Sequence, residues 1–550
     1  MKRFIYEDIM SVPKPKVQKS FFDTDMCIAN LFRESDCYRI FNEKILPVLW
    51  SKRDTLVSLY CEDNGRPAIE PVIALGVTLL QFMEKCPDRQ AADSARLHLG
   101  WKFALGLEID DEPFHYSSLS NFRKRLTESE AQRVGFDAIL EALREAGLVR
   151  KNRRQRLDST HVLGNVSKMS RLERVRETIR LFLVQVNKWG IEDSLPGWKE
   201  YFERYCESDV QWHRLDKPTL AQKAEQAGAD ARALIRWLRS RPTEVRQHEK
   251  AMLLERVFLE QYDMDNGAPA RRKRERSGTV QNPHDPEAQW STKDTSAAKS
   301  WVGYKVQVSE TVSDSDEPKK KGEPTEQFIT EITTTEAIAS DLDGMERNLQ
   351  AQDEHHKELP EELYTDAGYV TDDTMAAAEE EGRELIGPAR PPGNPKKLFD
   401  TTMFDIDVAE RKAVCPAGHP NRQCSLINDK HKDSVYYRFE WGSLCDECEL
   451  QKQCTRRKDG RRHVSVGVHH EVLQKRRREM ETEEFKQKMH RRNAIEGTIS
   501  EFARAGGRRT RYRGLAKTTL ANYFQGAAMN IGRWIRLEQH KTFKTVLQAG

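Results

Sequence analysis

The chain has 550 residues, of which 37% are hydrophobic and 32% are charged, and its net charge is only +3. This length suffices for two to four domains, and the near-neutral total means that any affinity for polyanions must come from local charge clusters. No apolar run reaches the roughly 18 residues that a membrane-spanning helix needs, and the first residues lack the apolar core of a signal peptide. We therefore expect a cytosolic protein.

Residues 20–130 carry the apolar periodicity of helices, and a further amphipathic helix is predicted over 132–146, within an N-terminal domain that covers 1–148. Residues 70–83 are apolar nearly all round, which predicts the central helix of a bundle. A later helix carries a basic triplet, Arg123, Lys124 and Arg125. A solvated basic face would explain this triplet, but basic helices in such bundles often contact phosphates. We predict an N-terminal helical domain that contacts DNA or mediates dimerisation.

A short strand is predicted around Asp158, because the neighbouring residues (RLDSTHV, 156–162) include β-branched types. An acid inside a strand is costly to bury without a partner. A divalent metal ion is a suitable partner, since hard cations prefer carboxylate oxygens. A surface position at a strand end would explain Asp158 equally well. His161 is interpreted as a structural hydrogen-bonding group, because two-metal chemistry does not require it.

Helical patterns then extend over residues 165–265, which we interpret as a helical insertion into a strand-rich domain. A basic segment with Arg271 and Arg272 follows. It is either a solvated linker or a nucleic-acid contact, since clustered cations release counterions when they bind a polyanion.

Strand patterns return after residue 300. Residues 303–308 and 328–334 alternate between apolar and polar side chains and predict an antiparallel hairpin. A further short strand ends at Asp366, before a glycine and a helix, and a last strand covers 385–388. The order strand, strand, strand, helix, strand, helix, strand is typical of a mixed α/β sheet with helices on its faces.

A strongly charged helical region covers residues 470–504, with Glu496 late in the predicted helix. Asp158, Asp366 and Glu496 could meet where the strands end, because ligands of α/β sheets gather there. Three converging carboxylates repel one another unless cations lie between them. Two Mg²⁺ ions, or Mn²⁺, would satisfy this need and would clamp a phosphodiester for in-line displacement.

Three segments resemble the acidic motifs of DDE transposases from bacterial insertion sequences, namely 158–161 (DSTH), 364–369 (YTDAGY) and 492–497 (RNAIEG). The similarity extends in order along nearly the whole chain, through 65–67, 122–126, 285–288, 303–305 and 511–515. It fits the branch with a helical N-terminal domain and a cysteine-rich insertion. The resemblance implies a ribonuclease-H-like catalytic domain over 150–550, with helices on both sheet faces. It also implies transposon-end and target DNA as partners and a homodimer on DNA.

Residues around the third acid depart in part from the family. Related transposases often have tyrosine seven residues before the glutamate, arginine four before it and lysine seven after it. Arg492 fits the arginine, whereas Met489 and Ala503 stand at the other two places. Residues 491–513 contain seven arginines against two glutamates, an excess that favours phosphate contacts. The expected DNA-binding residues are Arg123, Lys124, Arg125, Arg271, Arg272, Lys305, Arg492, Arg504, Arg508, Arg509, Arg511 and Arg513.

Five of the ten cysteines crowd into a predicted insertion over 408–465. In a reducing compartment this crowding indicates metal binding before disulfides. Cys445 and Cys448 form a knuckle that could hold one face of a tetrahedral zinc ion, and Cys415 and Cys454 are the expected remaining ligands, as the family resemblance also implies. Cys424 and His419 are rivals for these two places. The zinc would be structural, and reduced, metal-free thiols are the alternative reading.

We therefore expect a bacterial, nucleoid-associated transposase that binds terminal inverted repeats and performs two-metal DNA cleavage and strand transfer. An inactive DNA-binding regulator that descends from such an enzyme is one alternative. A plain nuclease of the same fold is another.

Overall fold

The computed structural model describes residues 12, 21–61, 68–111, 114–150, 153–207, 215–265, 267–293, 299–313, 323–392, 398–430 and 434–549. The resemblance at 65–67 lies outside these residues. No helix among the described residues combines the length and the apolar character that crossing a membrane requires.

The N-terminal region is helical, as its periodicity predicts. Its central helix is buried at every residue from Pro71 to Gln81, and proline at its start is favourable because the first helical position needs no N–H donor. The helices are α1 (Thr24–Cys27), α2 (Cys37–Ile40), α3 (Leu46–Ser51), α4 (Arg53–Val57), α5 (Pro71–Glu84), α6 (Asp88–Leu97), α7 (Leu99–Ala104), α8 (Ser117–Glu128) and α9 (Val134–Glu145).

The first strand, β1 (Gln155–Leu163), is followed by a helical insertion with its own apolar core. Ser170 and Glu173 form a capping box at its first helix. Its elements are α10 (Arg171–Trp189), α11 (Trp198–Phe202), α12 (Lys217–Arg239), α13 (Thr243–Arg246), α14 (Glu249–Gln261), β2 (Tyr262–Asp265) and β3 (Ala268–Arg271). Strands β2 and β3 pair as an antiparallel hairpin. The basic segment therefore begins in a hairpin, with Arg271 as the last residue of β3, and is not wholly a linker.

The main sheet is mixed. Its elements are β4 (Gln289–Thr292), β5 (Ser300–Thr311), β6 (Ile329–Glu336), α15 (Asp341–His356), β7 (Glu362–Tyr364), α16 (Asp372–Glu380) and β8 (Glu384–Ile386), together with β1. Strand β5 pairs antiparallel with β1 on one side and with β6 and β4 on the other, while β1, β7 and β8 are parallel neighbours. The predicted hairpin is confirmed as β5 and β6. The alternating residues Tyr304, Val306 and Val308 are fully buried.

The region where the sequence loses its periodicity folds into a domain with two small antiparallel sheets. Its elements are β9 (Asp405–Asp407), β10 (Lys412–Val414), β11 (Gln423–Asp429), β12 (Ser434–Glu440), α17 (Gln451–Cys454) and β13 (His463–Gly467). Strands β9 and β10 form one sheet, and β11, β12 and β13 form the other. Phe439 and Trp441 anchor its apolar core.

The chain closes with α18 (His470–Glu479), α19 (Glu483–His490), α20 (Ile495–Arg504) and α21 (Leu515–Ala549). The predicted continuous helix over 470–504 is wrong, because Thr482 caps a new helix and residues 491–494 form turns. Glu496 consequently lies in the first turn of α20 and not late in a helix.

Helices cover both faces of the sheet. One face of β5 and β6 shares a continuous apolar core with the N-terminal helices and α21. On the other face, side chains of β5 contact α15, where Ser309 donates a 2.6 Å hydrogen bond to Asn348. The predicted N-terminal domain is therefore packed directly on the strands that carry the site.

A buried ionic network ties β1, β5, α20 and α21 together. Glu310 is fully buried and accepts hydrogen bonds from Arg156 (2.6 Å), Thr498 (2.5 Å) and Arg533 (2.9 Å). Arg156 also donates to the carbonyl of Arg491 at 2.9 Å, just before α20. Removal of one member of such a network leaves uncompensated buried charges. The network fixes the helix of Glu496 against the strand of Asp158.

Replacement of Glu310 by alanine is expected to destabilise the protein by about 3–5 kcal/mol, because two arginines would lose their buried counter-charge. The measurement is the urea midpoint of the cooperative transition. The control is Glu410→Ala, which removes an exposed partner of Lys412 and should have little effect. Equal midpoints for Glu310→Ala and the wild type would contradict a stabilising role for the network.

Candidate active site

Three distant parts of the chain bring the predicted acids together. Strand β1 pairs with β7 only at Gln155 and Arg156, so Asp158 lies just beyond the paired part. Asp366 follows the end of β7, and the backbone N–H of Gly368 donates a 2.6 Å hydrogen bond to its Oδ1. Because β1 and β7 are parallel neighbours, both acids lie at the same edge of the sheet. Glu496 joins them from the start of α20.

The guanidinium of Arg492 contacts all three carboxylates. Its Nη2 lies 3.2 Å from Asp158 Oδ2 and 4.0 Å from Asp366 Oδ2. Its Nη1 lies 3.7 Å from Glu496 Oε1. Only 17% of the Arg492 side chain is exposed, whereas 71% of the Glu496 side chain is exposed. One positive charge therefore sits among three negative ones, which accounts for part of the balance that such a cluster requires.

The acids line a groove of about 620 Å³. Along its wall, His161 packs against Trp301 with ring centroids 5.3 Å apart. Burial lowers the pKa of His161, and the nearby charges of Arg508 and Lys293 lower it further. The groove lining thus combines carboxylates with a cationic wall, which is formed by Lys293 and Arg508. Its lining residues are Asp158, Ser159, Thr160, His161, Ser291, Thr292, Lys293, Trp301, Lys305, Asp341, Asp366, Glu496, Ile499, Ser500, Ala503 and Arg508.

Burial raises the pKa of Asp158 to about 6. The backbone N–H of Ser159 and the charge of Arg492 oppose this rise, while Asp366 and Asp341 add to it. Burial thus disfavours the charged form of Asp158 more than Arg492 favours it, and an additional positive charge at the cluster would favour the carboxylate.

Asp341 is a fourth groove carboxylate that the sequence analysis missed. It begins α15, accepts a 3.2 Å hydrogen bond from Ser159 and lies 3.3 Å from the ammonium of Lys305. A Cβ atom on Gly368 would be 2.8 Å from Asp366 Oδ1 and 3.2 Å from Asp341 Oδ2, so the two carboxylates are close together. The sequence signal was weak, because an acid after a capping serine is common at helix starts.

Lys305 is directed to this carboxylate and not to the surface. Its ammonium donates to the carbonyl of Ala339 at 2.6 Å, and only 15% of its side chain is exposed. The alternation of β5 gave no indication of this partner, because Asp341 lies on a different element. Lys305 is therefore paired with Asp341 inside the groove, and its contact with DNA stays a prediction.

The arginine-rich loop after α20 is attached to β1 at the groove. The N–H of Leu163 donates to the carbonyl of Arg508 at 2.8 Å, and the N–H of Thr510 donates to the carbonyl of Leu163 at 3.0 Å. Arg511 instead donates to the carbonyl of Cys86 at 3.1 Å, just after α5. The loop is therefore held by the strand of Asp158 on one side and by the N-terminal helices on the other. Its exposed arginines are Arg504, Arg508, Arg509, Arg511 and Arg513.

The three basic residues of α8 differ in their solvent exposure. Arg123 is buried and forms a 2.5 Å ion pair with Asp88, so its charge is used inside the protein. Lys124 and Arg125 are exposed. A helix turns by 100° per residue, so one member of three neighbours points inward here. Arg123 is not part of an accessible phosphate-binding face.

The two expected contacts after the insertion differ as well. Arg271 is exposed, whereas Arg272 is mostly buried and lies 2.9 Å from a carboxylate oxygen of Asp263. The hairpin of β2 and β3 produces this pair, because it brings the residue after β3 beside β2. Of these two arginines, Arg271 is the one whose charge is exposed to solvent.

Four cysteines line a second, small cavity of about 20 Å³. They are Cys415, Cys445, Cys448 and Cys454, and His419 lines the same cavity. Burial raises the pKa of Cys454 to about 11, and the other three thiols add to this rise, against the effect of Arg462. Cys424 lies on β11 and does not line the cavity. The geometry thus groups the four predicted residues and keeps His419 as the nearby rival.

The side-chain chemistry at both clusters suits metals, since carboxylates suit hard cations and thiolates suit zinc. Yet within the described ranges no group of three or more histidine, cysteine or acidic residues is arranged to hold an ion. At the carboxylates, a guanidinium lies among the oxygens that would be ligands. The donor types fit a divalent ion, while the guanidinium of Arg492 lies between the carboxylates that would bind it.

Two family models match the chain. Residues 27–125 match a transposase domain (DUF772), and residues 414–535 match a transposase DDE domain. The first match lies in the helical N-terminal region, and the second includes Arg492 and Glu496 but not Asp158 or Asp366. Together the two matches support a DDE transposase of the insertion-sequence type. No curated protein and no solved structure gives a significant match.

Replacement of Gly368 by alanine is expected to reduce DNA cleavage at least tenfold. The added Cβ would displace Asp366 or Asp341, and small misplacements of reacting groups are costly. The measurement is the cleavage rate on DNA that flanks the gene. Gly497→Ala is the matched control, because it also adjoins a site acid but its Cβ would meet no atom within 4 Å. Full activity of Gly368→Ala would contradict the assigned geometry.

Proposed function

We propose that this transposase cleaves DNA at the ends of its element and joins them to target DNA, with Asp158, Asp366 and Glu496 as catalytic carboxylates. The observation that carries the proposal is their convergence on one guanidinium, from β1, β7 and α20. Carboxylates this close together repel one another, and such clusters occur mainly at functional sites.

A ribonuclease-H-like core is the fold that we propose for residues 150–550. Three antiparallel strands, β6, β5 and β1, continue into two parallel strands, β7 and β8. Asp158 lies within β1, and Asp366 follows the end of β7. These strands are adjacent and parallel, and ligands of α/β sheets usually bind at the ends of such strands. This topology supports the proposal.

Asp158, Asp366 and Glu496 would hold the divalent ions, with Asp341 beside them. Two bound Mg²⁺ or Mn²⁺ ions would supply an activated oxygen nucleophile and charge stabilisation of the leaving oxygen. Two features of the chain fix the acids in place. The backbone N–H of Gly368 donates a hydrogen bond to Asp366, and the buried network of Glu310 holds α20, which carries Glu496. This rigidity aligns the reacting groups.

The cationic wall of the groove would bind the DNA backbone. Lys293 and Arg508 have no acidic partner among the described residues, and both are close enough to His161 to affect its pKa. Unpaired cations in a groove suit phosphates, and each contact releases counterions. Arg504, Arg509 and Arg513 would extend this surface.

Terminal inverted repeats are the proposed specific partner of the N-terminal helices. Exposed Lys124 and Arg125 on α8 support a phosphate contact there, as does exposed Arg271 beyond the insertion. We propose that two copies of the chain pair two ends, since both ends must be joined to one target.

A structural zinc ion is the proposed occupant of the four-cysteine cavity. Cys415, Cys445, Cys448 and Cys454 supply the four thiolates of a closed tetrahedral site. Binding would lower the raised pKa of Cys454, because zinc needs the thiolate. It would also hold β10, α17 and the intervening loops together.

Alanine at Asp158, Asp366 or Glu496 is expected to reduce cleavage and strand transfer by about 100-fold or more, since ion-mediated charge stabilisation is worth several kcal/mol. DNA binding should persist. The assay measures nicked and joined products on DNA that flanks the gene, with Mg²⁺ or Mn²⁺. Glu483→Ala on α19 is the control for loss of an acid, because Glu483 is exposed and outside the groove.

An alanine variant that still joins ends would remove that residue from the catalytic set. Cleavage without joining by the wild type would instead support a nuclease. End binding without any metal-dependent cleavage would support an inactive regulator.

The purified chain is expected to contain about one zinc ion, measured by elemental mass spectrometry. Cys445→Ser with Cys448→Ser should abolish this content and lower the melting temperature, because structural zinc contributes folding energy. Cys424→Ser is the matched control and should retain the zinc. A zinc-free wild type, or equal loss in the control, would contradict the assigned ligands.

A further inference from the structure

Arg492 occupies the position that a divalent ion would need. Its Nη2 lies 3.2 Å from Asp158 Oδ2, while Mg²⁺ binds carboxylate oxygens at about 2.0–2.1 Å. The same guanidinium reaches Asp366 and Glu496, so an ion shared by these acids would overlap with it. The ion and the guanidinium therefore compete for the same carboxylates.

The chain permits this side chain to leave. Residues 491–494 form turns between α19 and α20, outside either helix. The backbone is fixed next to it, because Arg156 donates to the carbonyl of Arg491 at 2.9 Å. The Nε of Arg492 is buried and makes no hydrogen bond in the described structure. A long side chain on an anchored turn, with one donor unsatisfied, can exchange its partner without refolding of α20.

We propose that Arg492 is an internal counter-ion, which holds the three acids together until divalent ions displace it. The displaced guanidinium then becomes available to a DNA phosphate at the mouth of the groove, where its planar fork suits phosphate oxygens. Arg492 is thus a positioning residue that links ion binding to DNA binding. This inference rests on the proposed function, because it takes the three acids as the ion-binding set.

The test is a Mn²⁺ titration of the DNA-free, full-length protein, with free Mn²⁺ measured by electron paramagnetic resonance. Arg492→Gln is expected to bind Mn²⁺ at least about fivefold more tightly than the wild type, the lower end of typical coupling between competing partners. Arg492→Lys keeps the charge and should remain within about twofold of the wild type, as expected for a rescued counter-ion.

Arg508→Gln is the matched control. It removes the same charge from the same groove, but from a guanidinium that donates to Thr160 and contacts no carboxylate of the site. It should change Mn²⁺ affinity less than about twofold, since a solvent-exposed charge at a distance is screened. Equal tightening by Arg508→Gln and Arg492→Gln would overturn the inference, as would unchanged or weaker binding by Arg492→Gln.

Asp158→Ala separates this inference from the proposed function. Where Asp158→Ala loses the Mn²⁺ site but Arg492→Gln does not tighten it, the inference fails and the catalytic assignment stands. Where Asp158→Ala binds Mn²⁺ as the wild type does, the acids are not the ion site and both fail. Tightening by Arg492→Gln that disappears when Asp158→Ala is added supports both.

Discussion

Repulsion among carboxylates is the constraint on which the rest of this structure depends. Asp158, Asp366 and Glu496 approach one guanidinium within 4.0 Å, and Asp341 lies beside them. Such a cluster exists only where cations offset its charge. Arg492 and Lys305 supply single positive charges from within the chain. Burial, together with Asp366 and Asp341, nevertheless raises the pKa of Asp158 to about 6. The proposed divalent ions would add positive charge at this cluster.

The surrounding fold keeps this unfavourable cluster in place. Strands β1 and β7 are parallel neighbours, which puts two acids at one edge although more than 200 residues separate them in sequence. Glu310 of β5 accepts hydrogen bonds from Thr498 of α20 and from Arg533 of α21, and these bonds fix α20 against the sheet. The N-terminal helices share their core with the opposite face of the same sheet. The N-terminal helices therefore pack against the same sheet that carries Asp158.

The sequence predicted well what local pattern determines. The alternation of apolar and polar residues at Tyr304, Val306 and Val308 predicted β5, because a period of two is typical of a strand. Motif resemblance pointed to Asp158, Asp366 and Glu496, which the fold brings to one guanidinium. Sequence-based prediction failed where a distant partner decides the outcome. Arg123 is buried by Asp88, and Asp341 enters the groove from α15. Neither contact can be predicted from the residues that neighbour it in sequence.

Glu496 illustrates the same limit at short range. A charged helical pattern over 470–504 does not reveal where the helix breaks, because polar residues suit both helix and turn. The turns at 491–494 put Glu496 at a helix start and Arg492 outside it. That small displacement decides whether the guanidinium can face the carboxylates. The proposed catalytic geometry thus depends on a helix boundary, the least reliable feature of any sequence-based prediction.

The most direct measurement is anomalous diffraction at the manganese edge from crystals of the chain grown with Mn²⁺ and DNA. The account predicts manganese bound directly to oxygens of Asp158 and Asp366, with Glu496 completing the site and the guanidinium of Arg492 displaced toward a phosphate. Manganese absent from these carboxylates, in a crystal that contains it elsewhere, would contradict the account.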